Sequence, residues 1–238
     1  MQVVEVPSPP ANRTRRTRNA AATRAHILAV AQAEFVAHGL SGARMDRIAE
    51  TCAVNKNLLY HYFGSKEDLY LAVIEGIWAG LRANQRDEEL LALPPEQAMR
   101  RLVTNTFDHF VATPELIRLM SVENIHNARH LKRSTVVKPL YGNLLDTLQK
   151  ILKRGQSEGI FRRKVDVIDL YLSISGLAYF FLSNQHTLSW LLDRPLVTPR
   201  RVAARRRHVA DMVLAYLVHP QPEGQDVPVA QSGERKQG

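Results

Sequence analysis

Apolar side chains recur along this chain with the spacing of amphipathic helices. Ile27, Ala31 and Phe35 stand four residues apart and predict a first helix over residues 20–38, which Gly39 closes as a C-cap. No stretch shows the sustained alternation of β-branched residues that a strand requires. The pattern therefore predicts an all-α fold, with a small N-terminal helical unit followed by a larger C-terminal helical domain.

Residues 45–66 carry the most informative pattern. Apolar residues at i, i+3, i+4 and i+7 place one face of a short helix toward a core, and these are Met45, Ile48, Ala49 and Cys52. The pattern breaks after Cys52, and Asn55 is a good N-cap for a second helix that begins at Lys56. Leu59 and Phe63 lie one turn apart in that helix and should pack on the first one. The stretch thus predicts two short helices joined by a tight turn.

The opposite side of the second helix carries polar groups. Asn57 and His61 share its outward face, with Lys56 and Tyr60 along one flank and Leu58 along the other. Donors, a cation and an exposed aliphatic group on one helix face suit the major groove of DNA and the phosphates beside it. We therefore interpret this helix as a DNA-reading element.

These residues resemble a known family. Residues 23–78, and LLYHYFGSKEDL over residues 58–69 above all, are similar to the N-terminal DNA-binding domain of tetracycline-repressor-like (TetR family) regulators. Two positions depart from the family pattern: Ala53 stands where the turn usually has Gly, and Arg44 where Ser or Thr usually caps the first helix. Asp46 stands where some members have a basic base-reading residue, so that contact is not transferred.

The resemblance implies a three-helix DNA-binding domain, a helical effector-binding domain and a homodimer. The expected partners are double-stranded operator DNA and an unidentified small-molecule effector, with no cofactor, no metal and no membrane. The implied function is a transcriptional regulator, usually a repressor, that the effector releases from its operator. A ligand-independent or activating regulator is the alternative, and a helical interaction module without DNA binding is a further one. The predicted DNA contacts are Arg44, Arg47, Lys56, Asn57, Leu58, Tyr60, His61 and Lys66.

Prolines, charged clusters and capping residues along the chain predict where its domains and helices begin and end. Residues 1–19 hold prolines and an arginine cluster and are expected to form a disordered basic arm, as residues 220–238 form a disordered tail. Ser65 and Asp68 resemble a capping box at the start of the next helix, which should run to residue 86. Pro94 and Pro95 mark the boundary after it. We predict a DNA-binding domain over 20–66 and a second domain over 67–219, with further helices over 96–111, 114–124, 126–133, 136–156, 165–186 and 199–218.

The last two predicted helices are apolar on more than one side. A helix of this kind must be covered on more than one side, and a second subunit is the simplest cover for the outer side. The resemblance implies the same, because the two C-terminal helices of this family pair with their symmetry mates. A wholly intramolecular core is the alternative. The predicted interface is Leu170, Ile174, Leu177, Phe181, Val209, Val213 and Tyr216.

The second domain also offers residues for a pocket. Ligand pockets are mostly apolar with a few placed polar groups, and the resemblance implies an effector site here. Ordinary core packing is the alternative for each aromatic residue. The predicted lining is Phe107, Phe110, Met120, Glu123, Asn127, Tyr141, Tyr179 and Phe180.

Glu123, His126 and His130 would share one face if residues 123–130 were helical, which suits a metal ion. A di-metal bundle needs a second Glu-x-x-His motif, and the sequence has none. We therefore expect no metal.

Composition narrows the class of protein. The net charge of +9 favours a polyanionic partner, although a merely basic protein would share it. Five arginines cluster before the DNA-reading unit: Arg13, Arg15, Arg16, Arg18 and Arg24. A single cysteine, Cys52, excludes an intrachain disulfide, and no secretory signal is visible, so we expect a cytoplasmic protein. The longest apolar run, residues 170–182, is too short for a membrane span. No Ser-His-Asp order, phosphate loop or HExxH motif predicts an enzyme.

Overall fold

A computed structural model describes residues 11–83 and 87–218 of the chain. Within these residues the secondary structure is helical throughout, as the apolar spacing predicts. The α-helices are α1 Ala11–Gly42, α2 Met45–Thr51, α3 Lys56–Phe63, α4 Lys66–Ala83, α5 Asp87–Ala92, α6 Pro95–Ala112, α7 Pro114–Ile125, α8 Val137–Ser157, α9 Val167–Ser183, α10 Gln185–Leu191 and α11 Pro199–Val218.

The first helix is longer than its apolar stripe indicates. α1 begins at Ala11 rather than at residue 20, so residues 11–19 of the predicted disordered arm are helical. Residues 1–10 of that arm lie outside the described part. At the other end Gly39 has φ 65 and ψ 178, which interrupts the helix where the sequence predicts its C-cap. Only glycine adopts such a backbone at little steric cost.

α2 and α3 form the predicted helix-turn-helix. Ile48 and Cys52 of α2 and Leu59 and Phe63 of α3 are all buried and pack into one core. Ala53 in the turn between them has φ 53, the left-handed conformation that usually falls to glycine. Ala53, at the position where the family usually has Gly, therefore adopts a conformation that is less favourable for alanine than for glycine.

The core of this unit extends beyond the predicted domain boundary at residue 66. Tyr70 of α4 is fully buried and meets Phe35 of α1 edge-on, with ring centroids 5.2 Å apart. Leu116 and Leu119 of α7 complete the same core. α4 and α7 therefore belong structurally to the DNA-binding unit, although the predicted boundary places them in the second domain.

A second core lies between α6, α8, α9 and α11. It holds most of the buried residues that were predicted to form a dimer interface: Leu170, Ile174, Val209 and Val213. Each of these side chains is at most 3% exposed. Their assignment to an interface was wrong, because the inner stripe of each helix faces α6 of its own chain and has no surface left for a partner.

Three local predictions also need correction. Residues 87–92, to which the sequence analysis assigned no helix, form α5. Residues 126–133, predicted as a helix, form turns and a short 3-10 segment at Leu131–Arg133, because Asn127 and Ala128 both have φ 56. The helix predicted over 165–186 divides at Asn184 into α9 and α10.

The predicted tail over 220–238 lies outside the described residues. Within the described ranges, no single helix is long and apolar enough to cross a membrane. α9 and α10 together have the required length and hydropathy, but a 68° bend separates them.

Candidate functional site

α3 presents a polar face to solvent while its apolar face is fixed in the core. Asn57, Tyr60 and His61 are exposed, and Leu58 is half-buried. The side chain of Asn55 accepts a hydrogen bond from the backbone N–H of Asn57 at 2.8 Å, which confirms the predicted N-cap. The helix is thus held in place by its cap and its buried side, and its outward residues are left available for contacts with DNA.

Lys56 at the start of α3 is partly engaged within the protein. Its Nζ lies 2.8 Å from a carboxylate oxygen of Asp46 on α2. Hydrogen bonding to that carboxylate raises the pKa of Lys56. Asp46, which did not fit a base-reading role, instead orients a cation at the edge of the polar face.

The start of α2 is fixed by a carboxylate on another helix. Arg44 makes no side-chain cap of its own. Instead a carboxylate oxygen of Glu34 on α1 accepts from the backbone N–H of Arg44 at 2.9 Å and from the Arg47 guanidinium at 2.7 Å. Glu34 thus binds the N–H of the N-cap residue and a side chain of the first turn, which fixes the start of α2 in a different way from a Ser or Thr cap. Arg47 was predicted to contact DNA, but the structure turns it toward α1, where it stabilises α2.

The turn between α3 and α4 carries the last predicted DNA contact. Ser65 accepts from the backbone N–H of Asp68 at 3.0 Å and donates to its carboxylate at 2.6 Å, so the predicted cap is present. Lys66 donates to the carbonyl of Ser41 at 3.3 Å. The hydrogen bond from Ser65, and then the one from Arg133, lower the pKa of Asp68. The hydrogen bond to Ser41 ties the side chain of Lys66 to the end of α1, and the backbone of Lys66 lies directly after the turn that ends α3.

The predicted effector residues do not line one cavity. Phe107 is buried against Phe181, with centroids 6.3 Å apart, and Phe180 is 57% exposed on the outside of α9. Met120 packs on the core of the DNA-binding unit, and Asn127 lies in an exposed turn. These four residues are therefore removed from the predicted lining.

Phe110 and Tyr179 do lie together, edge-on at 5.8 Å. The hydroxyl of Tyr179 is 3.2 Å from that of Ser121 on α7. This pair joins α6, α7 and α9 near the second core, which makes it part of the packing between the two domains.

Tyr141 belongs to a different group, which we name the aromatic cluster: Trp78 of α4, Tyr141 of α8, and Tyr171 with Ser175 of α9. The ring of Tyr141 lies 6.1 Å from that of Trp78 and 5.0 Å from that of Tyr171, edge-on in both cases. Ser175 follows Tyr171 by one helical turn and shares its face. Three of these residues escaped the sequence analysis. A signal existed, since Tyr171 and Ser175 place hydroxyls at i and i+4 in an otherwise apolar run.

Glu123 is buried in a hydrogen-bond network rather than in a metal site. Its carboxylate lies 2.9 Å from Nδ1 of His130 and accepts from the backbone N–H of Leu131 at 2.9 Å. α7 ends before His126, so the shared helix face on which the metal hypothesis depended does not exist. Among the described residues, no group of three His, Cys, Asp or Glu side chains could hold a metal ion.

The outer sides of α9 and α11 carry apolar groups that the single chain does not cover. We name this the outer face, and its exposed large apolar residues are Ile168, Leu172, Phe180, Met212 and Tyr216. Of the predicted interface residues only Tyr216 belongs to it; Leu177 and Phe181 are half-buried at the edge of the second core. Apart from Tyr216, the residues predicted for the interface thus lie on the inner side or at the edge of the second core, and pairing through α9 and α11 stays a prediction.

Comparison with known proteins agrees with these features. Residues 27–73 match the model of the bacterial regulatory proteins of the tetR family, and residues 95–213 match the tetracyclin repressor-like C-terminal domain. The transcriptional repressor NicS of Pseudomonas putida is 34% identical over 84% of this chain and 94% of its own length. The repressor SCO4008 of Streptomyces coelicolor is 28% identical over 68% of this chain and 79% of its own.

Solved structures show the same fold. The transcriptional regulator SCO4942 from Streptomyces coelicolor superposes with a TM-score of 0.61 at 28% identity, covering 82% of this chain and 98% of its own. FadR from Bacillus subtilis, solved with stearoyl-CoA, gives a TM-score of 0.60 at 16% identity, covering 80% and 97%. At that identity the likeness concerns the fold alone. The matched N- and C-terminal models, the extended identity to NicS and the capped helix-turn-helix together show that the chain belongs to the TetR family of DNA-binding transcriptional regulators.

Proposed function

We propose that this regulator is a homodimeric repressor that binds operator DNA through α3 and is released by a small molecule held between α4, α8 and α9. The observation that carries the proposal is the exposed polar face of α3, fixed to a core by Leu59 and Phe63. The names of NicS and SCO4008, both repressors, support the direction of regulation.

The residues of the DNA-binding surface divide by chemistry. Asn57 and His61 point outward from α3 and carry donors and acceptors that match base edges, with Asn suited to adenine. Leu58 can meet a thymine methyl. Arg44, Lys56, Tyr60 and Lys66 lie around them and suit phosphates, which position the protein without reading sequence.

Dimerisation through the outer face sets the geometry of binding. Apolar residues on adjacent helices would be removed from water if α9 and α11 paired with their copies. Two α3 helices related by a two-fold axis fit half-sites about 34–36 Å apart on one side of the duplex. This spacing makes the arrangement of the two subunits decisive for affinity.

Release follows from the position of α4. α4 packs against α1 and α3 at one end and against α8 further along. A ligand that prefers one placement of α4 shifts the distance between the two α3 helices, and so changes affinity for a fixed pair of half-sites. Couplings of this kind are usually about 1–3 kcal/mol, or about 5–150-fold in affinity.

The experiment selects duplexes from a random library with the full chain and measures affinity by fluorescence anisotropy at several salt concentrations. Site-selective binding with a steep salt dependence supports the proposal. In the variant Lys66→Ala, the slope of log affinity against log salt concentration should become shallower by about 0.9 per lost phosphate contact, on every DNA sequence. Absence of selective binding would favour an interaction module. A reporter gene placed behind the selected operator would distinguish an activator, because its expression would then fall when the protein is absent.

A further inference from the structure

The aromatic cluster brings together three rings whose chemistry suits an aromatic ligand. Trp78, Tyr141 and Tyr171 come from three helices and meet edge-on, with neighbouring centroids 6.1 and 5.0 Å apart. Aromatic side chains attract further rings in stacked or edge-on geometry at about 4.5–7 Å. A planar aromatic ring can therefore extend this arrangement, whereas a saturated ring gains only the general apolar contact.

Two hydrogen-bond donors of the cluster lack partners. The indole Nε1 of Trp78 and the hydroxyl of Ser175 are shielded from solvent and are bonded to no described residue. A buried polar group left unpaired costs about 1–3 kcal/mol, so two such groups beside one aromatic cluster call for a partner, which a bound molecule can supply. An indole N–H can only donate. Its partner must therefore be an acceptor.

The two phenols add a third donor. Burial raises the pKa of Tyr141, and its hydrogen bond to Tyr171 raises it further, so the hydroxyl of Tyr141 keeps its proton. A bond between two hydroxyls uses one of their two protons as donor and leaves the other for a further partner. The cluster thus offers donors from α4, α8 and α9 beside aromatic faces.

From these observations we propose that the effector is a planar aromatic or heteroaromatic molecule whose edge carries hydrogen-bond acceptors, such as a carbonyl, a carboxylate or a ring nitrogen. This assignment rests on the proposed release by a small molecule. The ring lies among Trp78, Tyr141 and Tyr171, and its acceptors take the N–H of Trp78 and the O–H of Ser175.

The position of Trp78 explains how such a ligand reaches the DNA-binding unit. Trp78 lies on α4 about 18 Å along the helix from Lys66, as the rise per residue requires. A hydrogen bond to its indole connects the ligand to the same helix that holds Lys66 beside α3. Tyr141 and Ser175 hold the other edge of the ligand on α8 and α9, so binding fixes α4 relative to the second core.

The test uses the two tryptophans of the chain, Trp78 and Trp190. Trp190 is 78% exposed on α10, so Trp190→Phe should leave Trp78 as the sole fluorophore in a folded protein. This variant is titrated with a panel of mono- and bicyclic aromatic amides, carboxylates and nitrogen heterocycles, each beside its ring-saturated counterpart. Emission of Trp78 and the thermal midpoint are recorded together.

We expect aromatic compounds of the panel to change the emission of Trp78 in a saturable manner. Their ring-saturated counterparts should bind at least tenfold more weakly. Ser175→Ala in the same background should weaken the best member about 2- to 10-fold. Ser173→Ala, on the exposed side of the same helix, should leave binding unchanged. Equal binding of saturated rings, failure of the whole panel, or indifference to Ser175→Ala would each overturn the assignment.

Operator affinity of the same variant without any panel member is measured in parallel. Selective DNA binding with no aromatic ligand found overturns the ligand class alone. Loss of DNA binding in the unliganded protein overturns the proposed function instead.

Discussion

Asn57 illustrates how the proposed role of a single side chain depends on its surroundings. Its backbone N–H is bonded to the side chain of Asn55, which fixes the first turn of α3, while its own side chain is left exposed. An amide held on a rigid helix can bond to adenine in a bidentate manner at little entropic cost. The role of Asn57 therefore depends on Asn55 as much as on its own chemistry.

We expect Asn57→Ala to lose about 1–3 kcal/mol on the selected operator and little on random duplex, because a base contact is lost while phosphate contacts remain. Competition anisotropy with both duplexes measures the difference. Asn105→Ala, an exposed asparagine on α6, is the control and should bind as the parent does. A loss of affinity of equal size on both duplexes would show that Asn57 positions the protein on the DNA backbone and does not read bases.

Ala53 bears local strain in the turn before α3. Its φ of 53 brings Cβ toward the neighbouring carbonyl oxygen. We expect Ala53→Gly to stabilise the protein by about 0.5–1 kcal/mol, since relief of this contact exceeds the extra entropy of glycine in the unfolded chain. Urea denaturation measures this. Ala92→Gly, at the end of α5, should destabilise, and a destabilised Ala53→Gly variant would show that the turn tolerates alanine without strain.

Among the helices, α2 depends on a neighbour for its start. The carboxylate of Glu34 on α1 binds the first turn of α2 and the guanidinium of Arg47, and is itself nearly buried. A carboxylate supplied by another helix couples the stability of α2 to the packing of α1. The helix-turn-helix is therefore one cooperative unit with α1.

Removal of this carboxylate should be costly. We expect Glu34→Ala to lose about 1–3 kcal/mol of the free energy of unfolding, because a buried N–H and a cation lose their acceptor. Glu34→Gln keeps an acceptor for the N–H of Arg44 and should lose less. Urea denaturation followed by circular dichroism ranks the variants. Equal stability of Glu34→Ala and the parent would contradict this role.

α4 begins with a carboxylate that also holds the turn after α7. Asp68 is bonded to Ser65 and paired with Arg133, and both interactions lower its pKa, Ser65 most. A carboxyl whose pKa is lower in the folded protein stabilises it above the unfolded pKa of about 3.9 and stops doing so as pH falls through the folded value. The contact is thus present at neutral pH.

Asp68→Asn should accordingly lower the thermal midpoint at neutral pH, and the difference from the parent should shrink as pH falls below about 4. Thermal denaturation across this range measures it. Asp146→Asn, an exposed carboxyl on α8, serves as control. A difference between Asp68→Asn and the parent that stays constant with pH would show that the charge of Asp68 is not involved.

The whole molecule is built from two cores, and α4 and α7 of the first core connect it to the second by packing against α8, and against α6 and α9, respectively. The outer face of α9 and α11 remains apolar after both cores are complete, with Leu172 58% exposed and Phe180 57% exposed. Because Ile174 lies on the opposite side of the same helix, substitutions at these positions separate assembly from folding.

Leu172→Glu and Phe180→Glu should yield monomers of native helicity with weakened operator binding, since a charge enters the proposed interface. Ile174→Glu should unfold the second domain, because a carboxylate would be buried without a partner. Sedimentation and circular dichroism distinguish these results. Ile125→Glu, at an apolar site 75% exposed at the end of α7, should remain dimeric. Intact dimers after both outer-face changes would refute the interface.

Local interactions made much of this protein predictable from its sequence. Helix periodicity, the N-cap at Asn55, the Ser65 cap and the break at Gly39 act over a few residues, and all are confirmed. The same holds for the buried sides of α2 and α3, because a short amphipathic helix has only one apolar side to bury.

Tertiary structure decided what depends on contacts between distant residues. α9 is apolar on several sides, so its sequence could not tell which side meets α6 and which remains exposed. The start of α2 is fixed by Glu34, which lies on another helix ten residues before Arg44. The same carboxylate binds the guanidinium of Arg47 and turns it toward α1. Trp78, Tyr141 and Tyr171 meet only because α4, α8 and α9 pack together. The spacing of apolar residues along the chain shows the period of each helix, whereas tertiary packing determines which helices become neighbours.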